Sequence, residues 1–154
     1  MPSLLEMTRL LALADGRQQV SERLLGQRLR EAQAGREQML AAQAQQRALE
    51  QLLVHGQLPG GPISPAALAV HLRQRAVLRR QVAELALECT RLGQQQAVLD
   101  AACAAQRLAR GALRRKHDKY QMLQQRLARQ QRRRQGSLES AEAEDFLLSR
   151  GPIC

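Results

Sequence analysis

From Leu78 onward one kind of residue returns at every seventh position: Leu78, Leu85, Leu92, Leu99, Gln106, Leu113, Tyr120 and Leu127. Seven of these eight are apolar, and a repeat sustained this long marks a helix that packs along one seam. A companion stripe lies three or four residues on, through Val82, Cys89, Ala102, Cys103, Ala109 and Leu123. The first third of the chain repeats less regularly. Its series runs Leu4, Leu11, Gln18, Leu25, Ala32, Met39, Gln46, Leu53, with six of eight apolar. Gly16, Gly26 and Gly35 interrupt it, each weakening a helix by roughly 1 kcal/mol relative to Ala.

The prolines divide these two patterns. Pro59, Pro62 and Pro65 cluster in the middle, Pro2 and Pro152 lie at the ends, and none falls between. Gly56 to Ile63 is dense in Gly and Pro and must turn the chain. Ser64-Pro65 reads as an N-cap followed by proline at the first helical position. The expected fold is all-α, a single long two-helix antiparallel coiled-coil hairpin with a C-terminal helical overhang. Its parts are a helix over 3–55, a loop over 56–64, a helix over 65–135 and an acidic tail over 136–154. Gly136-Ser137 offers the break before that tail. At about 1.5 Å per residue the first helix is about 80 Å long. With the turn centred near Gly60 and Gly61, Leu4 lies roughly level with His117. The second helix then overhangs by roughly 15–20 residues, or about 25 Å.

Composition excludes an ordinary globular core. Tyr120 and Phe146 are the sole aromatic residues and there is no Trp, yet aromatic side chains carry much of the burial in compact domains. Leu, Ala, Arg, Gln and Glu dominate, which is the mixture of long helices. The net charge is +10, and its excess is local. Arg107 to Arg134 carries 11 basic residues and one acid, Asp118; the other basic and acidic residues balance. Glu139, Glu142, Glu144 and Asp145 follow as an acidic patch. No run approaches the ~20 apolar residues of a membrane span. Residues 1–13 carry Glu6 and Arg9 and do not read as a signal peptide. Cys89, Cys103 and Cys154 are an odd set without a framework spacing, as expected of free thiols in a reducing cytoplasm.

Catalytic and metal chemistry find little footing. Cys89, Cys103 and His117 are fourteen residues apart, about 21 Å on a helix, too far to share a metal or for the two thiols to bond. The two cysteines, which fall on the companion stripe, are read as small core residues. Gly60-Gly61 lacks the Lys and Ser or Thr of a phosphate loop. His55, His71 and His117 lie far apart with no nucleophile or paired carboxylate beside them. A thin two-helix rod offers no pocket that excludes water. The expectation is therefore no enzyme, no cofactor, no metal and no small-molecule substrate. The basic segment suits either an acidic protein partner or nucleic acid. Nucleic acid is disfavoured because aromatic stacking residues are nearly absent and no known binding motif appears. A nucleic-acid-associated coiled coil and a generic coiled-coil adaptor or chaperone both stay open on these grounds.

Three features resemble a known family in order and spacing. They are Val82-Ala83-Glu84-Leu85-Ala86-Leu87-Glu88-Cys89-Thr90-Arg91-Leu92, then the basic stretch Ala112 to Tyr120, then Glu142-Ala143-Glu144-Asp145-Phe146-Leu147. Together they are similar to the YscO-like stalk proteins of type III secretion, relatives of the flagellar FliJ. The matching residues are Glu88, Leu92, Arg115, Lys116, Lys119 and Tyr120, and the match covers roughly residues 78–148. The resemblance implies a non-enzymatic cytoplasmic stalk at the base of a secretion apparatus on the inner membrane. Such a stalk resembles the coiled coil of the rotary ATPase gamma subunit. Its implied partners are a hexameric secretion ATPase, which it would activate, the cytoplasmic part of the export gate, and secretion chaperones. On that footing Arg126, Arg129, Arg132, Arg133 and Arg134 are expected to meet the ring. Leu68, Leu72, Arg75 and Arg79, near the hairpin end, are expected to face the gate.

Overall fold

Two short hydrogen-bonded caps determine where the helices begin. The Ser3 amide donates to Glu6 Oε2 at 2.7 Å, and the Glu6 amide donates back to Ser3 Oγ at 3.2 Å. This reciprocal capping box starts helix α1 (Leu4–His55). Ser64 Oγ accepts from the Ala67 amide at 3.2 Å, and Pro65 needs no partner at the first position of helix α2 (Pro65–Ser149). The structure, a computed structural model, describes residues 2–56, 58 and 60–151. Gln57 and Pro59 of the expected loop, and Pro152 and Cys154, lie outside the described residues. At the end of α1 the Gly56 amide donates to the Leu52 carbonyl at 2.8 Å. Gly61 adopts a φ of 144°, a conformation that side chains disfavour. The fold is an all-α helical hairpin of two long helices packed on each other, with no strand among the described residues.

Contacts divide the chain into two units, Leu24–Gln106 and Met1–Arg23 with Arg107–Cys154. In Leu24–Gln106, Leu25, Ala32, Ala42, Leu92 and Cys103 are buried, and Leu78, Leu85 and Leu99 are half-buried beside them. Small residues let the helices approach. Ala32 is 1% exposed, and a Cβ on Gly35 would come within 2.5 Å of Gln96 Oε1 and 3.2 Å of Leu99 Cδ1. Gln96 is buried in the seam, where its Nε2 donates to the Ala32 carbonyl and to Asp100 Oδ1, both at 3.1 Å. Nearer the turn, Arg75 Nη2 donates to the Leu53 carbonyl at 3.3 Å. From Leu53 to Ala32 is twenty-one residues backward, and from Arg75 to Gln96 twenty-one forward. The helices are therefore antiparallel here and hold a whole number of heptads in register.

In the other unit Met7, Leu11 and Ser21 are buried, Met7 to 1%. Three polar bridges join its helices. Glu22 lies 3.6 Å from Arg110, Asp15 lies 2.7 Å from His117 Nε2, and Gln124 Nε2 donates to Thr8 Oγ1 at 3.2 Å. Each step is seven residues down α1 and seven up α2.

All eight residues of each seven-residue series, from Leu4 and from Leu78, are buried or half-buried. Three expectations need correction. Ala109 does not belong to the companion stripe; it is exposed, and the stripe keeps strict seven-residue spacing through Cys89, Gln96, Cys103, Arg110, His117 and Gln124. Cys89 is half-buried and Cys103 buried, both as free thiols. Next, α2 does not end near Gln135. It runs through Gly136 to Ser149, with Ser140 Oγ bonded to the Gly136 carbonyl at 2.8 Å. One glycine costs about 1 kcal/mol, less than the surrounding Glu, Ala, Leu and Gln supply through propensity and a continuing helix. Finally, His117 faces Asp15 and not Leu4, and Gln124 faces Thr8. The turn is centred nearer Ser64 than Gly60, since Leu53 and Arg75 are equally far from it. From the Thr8–Gln124 contact, five residues back along α1 and five forward along α2 bring Ser3 level with residue 129, where the uncovered part of α2 begins.

Because one seam supplies nearly all the burial, single deletions in it should be costly. Leu92→Ala should lose about 2–4 kcal/mol in urea unfolding. Leu87→Ala, one helix face away and 73% exposed, should change stability by less than about 0.5 kcal/mol.

Candidate functional site

The uncovered end of α2 arises where its seam stops being apolar. After Leu127 the next inward positions are Gln131 and Arg134, and α1 begins at its Ser3 cap. Every described residue from 129 to 151 is exposed. The helical part of this stretch, to Ser149, is about 30 Å of single helix. All five arginines expected to meet a ring, Arg126, Arg129, Arg132, Arg133 and Arg134, are exposed. Arg126 lies beside the last half-buried residues, Leu127 and Ala128, and the other four lie beyond them. Leu138, Phe146, Leu147 and Leu148 stand among the exposed residues that follow. The Arg150 guanidinium sits 5.1 Å from the Phe146 ring centre at the helix end.

The residues expected to face a gate lie at the turn end of Leu24–Gln106. Leu68 and Leu72 are exposed, as is Arg79. Arg75 differs: it is half-buried, and its guanidinium is committed to the Leu53 carbonyl. Its position makes it a brace for the last turn of α1 more than a free contact. Exposed apolar residues surround this end, among them Leu52, Val54, Val70 and Val77. Periodicity alone does not find them, because they lie off the seam on both helices.

The family-motif residues divide between packing and surface. Leu92 is buried in the seam. Glu88 is half-buried and bonded to Arg91 through both carboxylate oxygens, and that bond holds its carboxyl below the usual range. Arg115, Lys116 and Lys119 are exposed. Tyr120 is half-buried at a small slot with Leu10, Leu13, Arg17, Leu113 and Lys116. Among the described residues no three His, Cys, Asp or Glu side chains gather as metal ligands. Among them, too, no helix is long and apolar enough to cross a membrane.

Charge also works inside the fold. The Arg36 guanidinium, 2.9 Å from Asp100, holds that carboxyl below its ordinary value, with Gln96 adding a smaller pull. A carboxyl depressed on folding stabilises above its unfolded pKa and loses that contribution as pH falls through the folded value. The stability gap between the native chain and Asp100→Asn should be open at neutral pH. It should close as pH falls below about 4. Thermal melts at both pH values check this, and a constant gap would contradict it. The five arginines carry no such role, since none forms an ion pair or hydrogen bond among the described residues. Replacing all five with Gln should leave helicity by circular dichroism unchanged and move stability by less than about 0.5 kcal/mol.

The sequence matches the family model described as Salmonella surface presentation of antigen gene type M protein over residues 5–147. No curated protein and no solved structure matches the chain.

Proposed function

The chain belongs to the surface presentation of antigen M family, YscO-like components of type III secretion, and from that premise we propose that it is the non-enzymatic stalk linking a hexameric secretion ATPase to the export gate. The observation that carries this reading is the uncovered helix from residue 129 to Ser149 with its unpaired arginines. A single α-helix is about 10–12 Å across with side chains, which suits the pore of a ring. Arg129, Arg132, Arg133 and Arg134, with Arg126 at its base, would pair with acidic groups on the ring's inner wall. Arg is apt for this, because its planar fork binds carboxylates through two bonds at once.

The turn end serves the second partner in this reading. Leu68, Leu72 and Arg79 offer an apolar surface with a cationic edge to the cytoplasmic part of the gate. Arg75 holds the last turn of α1 so that this surface keeps its form. The absence of a membrane-crossing helix among the described residues fits a peripheral, cytoplasmic place at the base of the apparatus. Secretion chaperones are further partners consistent with the exposed apolar residues near the turn.

The test is the hydrolysis rate of the cognate ATPase with the full chain, with a chain ending at Ala128, and with the five Arg→Gln changes. The full chain should stimulate the ring, and both variants should lose stimulation and co-migration while staying helical. Undiminished stimulation by the chain ending at Ala128 would show that the uncovered helix is not the contact. A substitution of Leu72 by Asp should leave ATPase stimulation intact and weaken binding to the gate domain. Loss of stimulation by that variant would reverse the proposed orientation.

A further inference from the structure

The uncovered helix carries two opposite charge blocks that cannot neutralise each other. Arg129, Arg132, Arg133 and Arg134 form the first, and Glu139, Glu142, Glu144 and Asp145 the second. Pairing within a helix needs a spacing of three or four residues. The last arginine, Arg134, stands five residues before the first carboxylate, Glu139, so no such pair exists between the blocks. In agreement, among the described residues no ion pair joins them. The acidic block also stands near the C-terminal end of α2, and the last turn of α2 has no basic residue. There the unsatisfied carbonyls add negative potential that falls off within the last turn, so of the four carboxylates Asp145, next to that turn, is the one placed against it. Leu138 stands between the blocks, 63% exposed, and Leu148 lies near the far end of the same stripe, also exposed.

We propose that the uncovered helix pairs, antiparallel, with the same helix of a second copy of this chain, centred on Leu138. Antiparallel alignment about Leu138 sets Arg134 opposite the partner's Glu142, Gln131 opposite the partner's Asp145, and Leu138 against its own counterpart, with the remaining charges of each block flanking this seam. Leu148 then reaches the partner's Ala128, where the apolar seam of that copy ends. The basic block of each copy lies alongside the acidic block of the other, twice by the two-fold symmetry, and the two helix dipoles run in opposite senses. Parallel alignment would instead stack like charges. The apolar area is small for a permanent interface, so charge supplies much of the attraction and salt must weaken it. Pairing covers the arginines that the stalk reading assigns to the ring, so a self-paired chain could not offer them there. The pairing itself does not rest on that reading, and its test uses the chain alone.

Sedimentation equilibrium of the full chain at low and high salt gives the test. At low salt the mass should be twice that of one chain, falling to a single chain at about 0.5 M salt, where the screening length is only a few ångströms. A variant with Arg129, Arg132, Arg133 and Arg134 changed to Glu should be a single chain on its own. A variant with Glu139, Glu142, Glu144 and Asp145 changed to Arg should be likewise. An equimolar mixture of the two should recover the double mass. Circular dichroism of each variant separates loss of pairing from loss of the helix, and a variant that unfolds is replaced by Leu138→Arg, which should also give a single chain. A single chain at every salt concentration overturns the proposal, as does a double mass that survives both charge changes.

Discussion

Everything in this molecule hangs on one seam between two helices. A domain with several layers can lose a contact and keep others, whereas here each helix has a single apolar stripe and a single neighbour. Burial is therefore confined to a few positions such as Met7, Leu25, Ala32 and Leu92. Close approach matters as much as side-chain size, and Gly35 and Ala32 allow it where Gln96 crosses the seam. Apolar contact is non-directional, so it does not by itself choose among registers. The polar seam residues do. Gln96 reaches one carbonyl of α1, and its Oε1 is buried without a partner. A buried polar group in a coiled seam costs stability and specifies alignment.

The same economy explains the difference between the two units. In Leu24–Gln106 the companion stripe of α2 is mostly apolar, through Val82, Cys89 and Cys103, with Gln96 and, at the turn end, Arg75 the exceptions. In the other unit it becomes Arg110, His117 and Gln124, each answered by Glu22, Asp15 or Thr8. Partly exposed bridges of this kind contribute little, about 0–1 kcal/mol each. They determine register more than stability, and that unit has fewer buried apolar side chains to hold it.

Function follows from where the seam stops. Gln131 and Arg134 occupy inward positions that apolar residues would need for α1 to be of use there. The result is a helix that stays folded without a neighbour, aided by helix-favouring residues and long continuity with the packed part. Its unpaired charges are then available to a partner, whether a ring of acidic groups or a second copy of itself.

The seven-residue series, the proline-bounded turn and the Ser64 cap were legible in the amino-acid sequence, because each depends on local chemistry that no distant contact overrides. The Ser3 cap, which the expected helix over 3–55 takes in as its first residue, appeared only in the structure. The family resemblance was legible too, since its motifs keep their order along α2. Only the tertiary structure decided the register. The expected turn at Gly60 placed His117 opposite Leu4, whereas the packed helices place it opposite Asp15. It also decided that Arg110, His117 and Gln124 belong to the seam and Ala109 does not. The reason is that a polar residue looks the same in sequence whether it faces water or a partner. Its place becomes visible only when the opposite helix supplies Glu22, Asp15 and Thr8 at matching steps of seven.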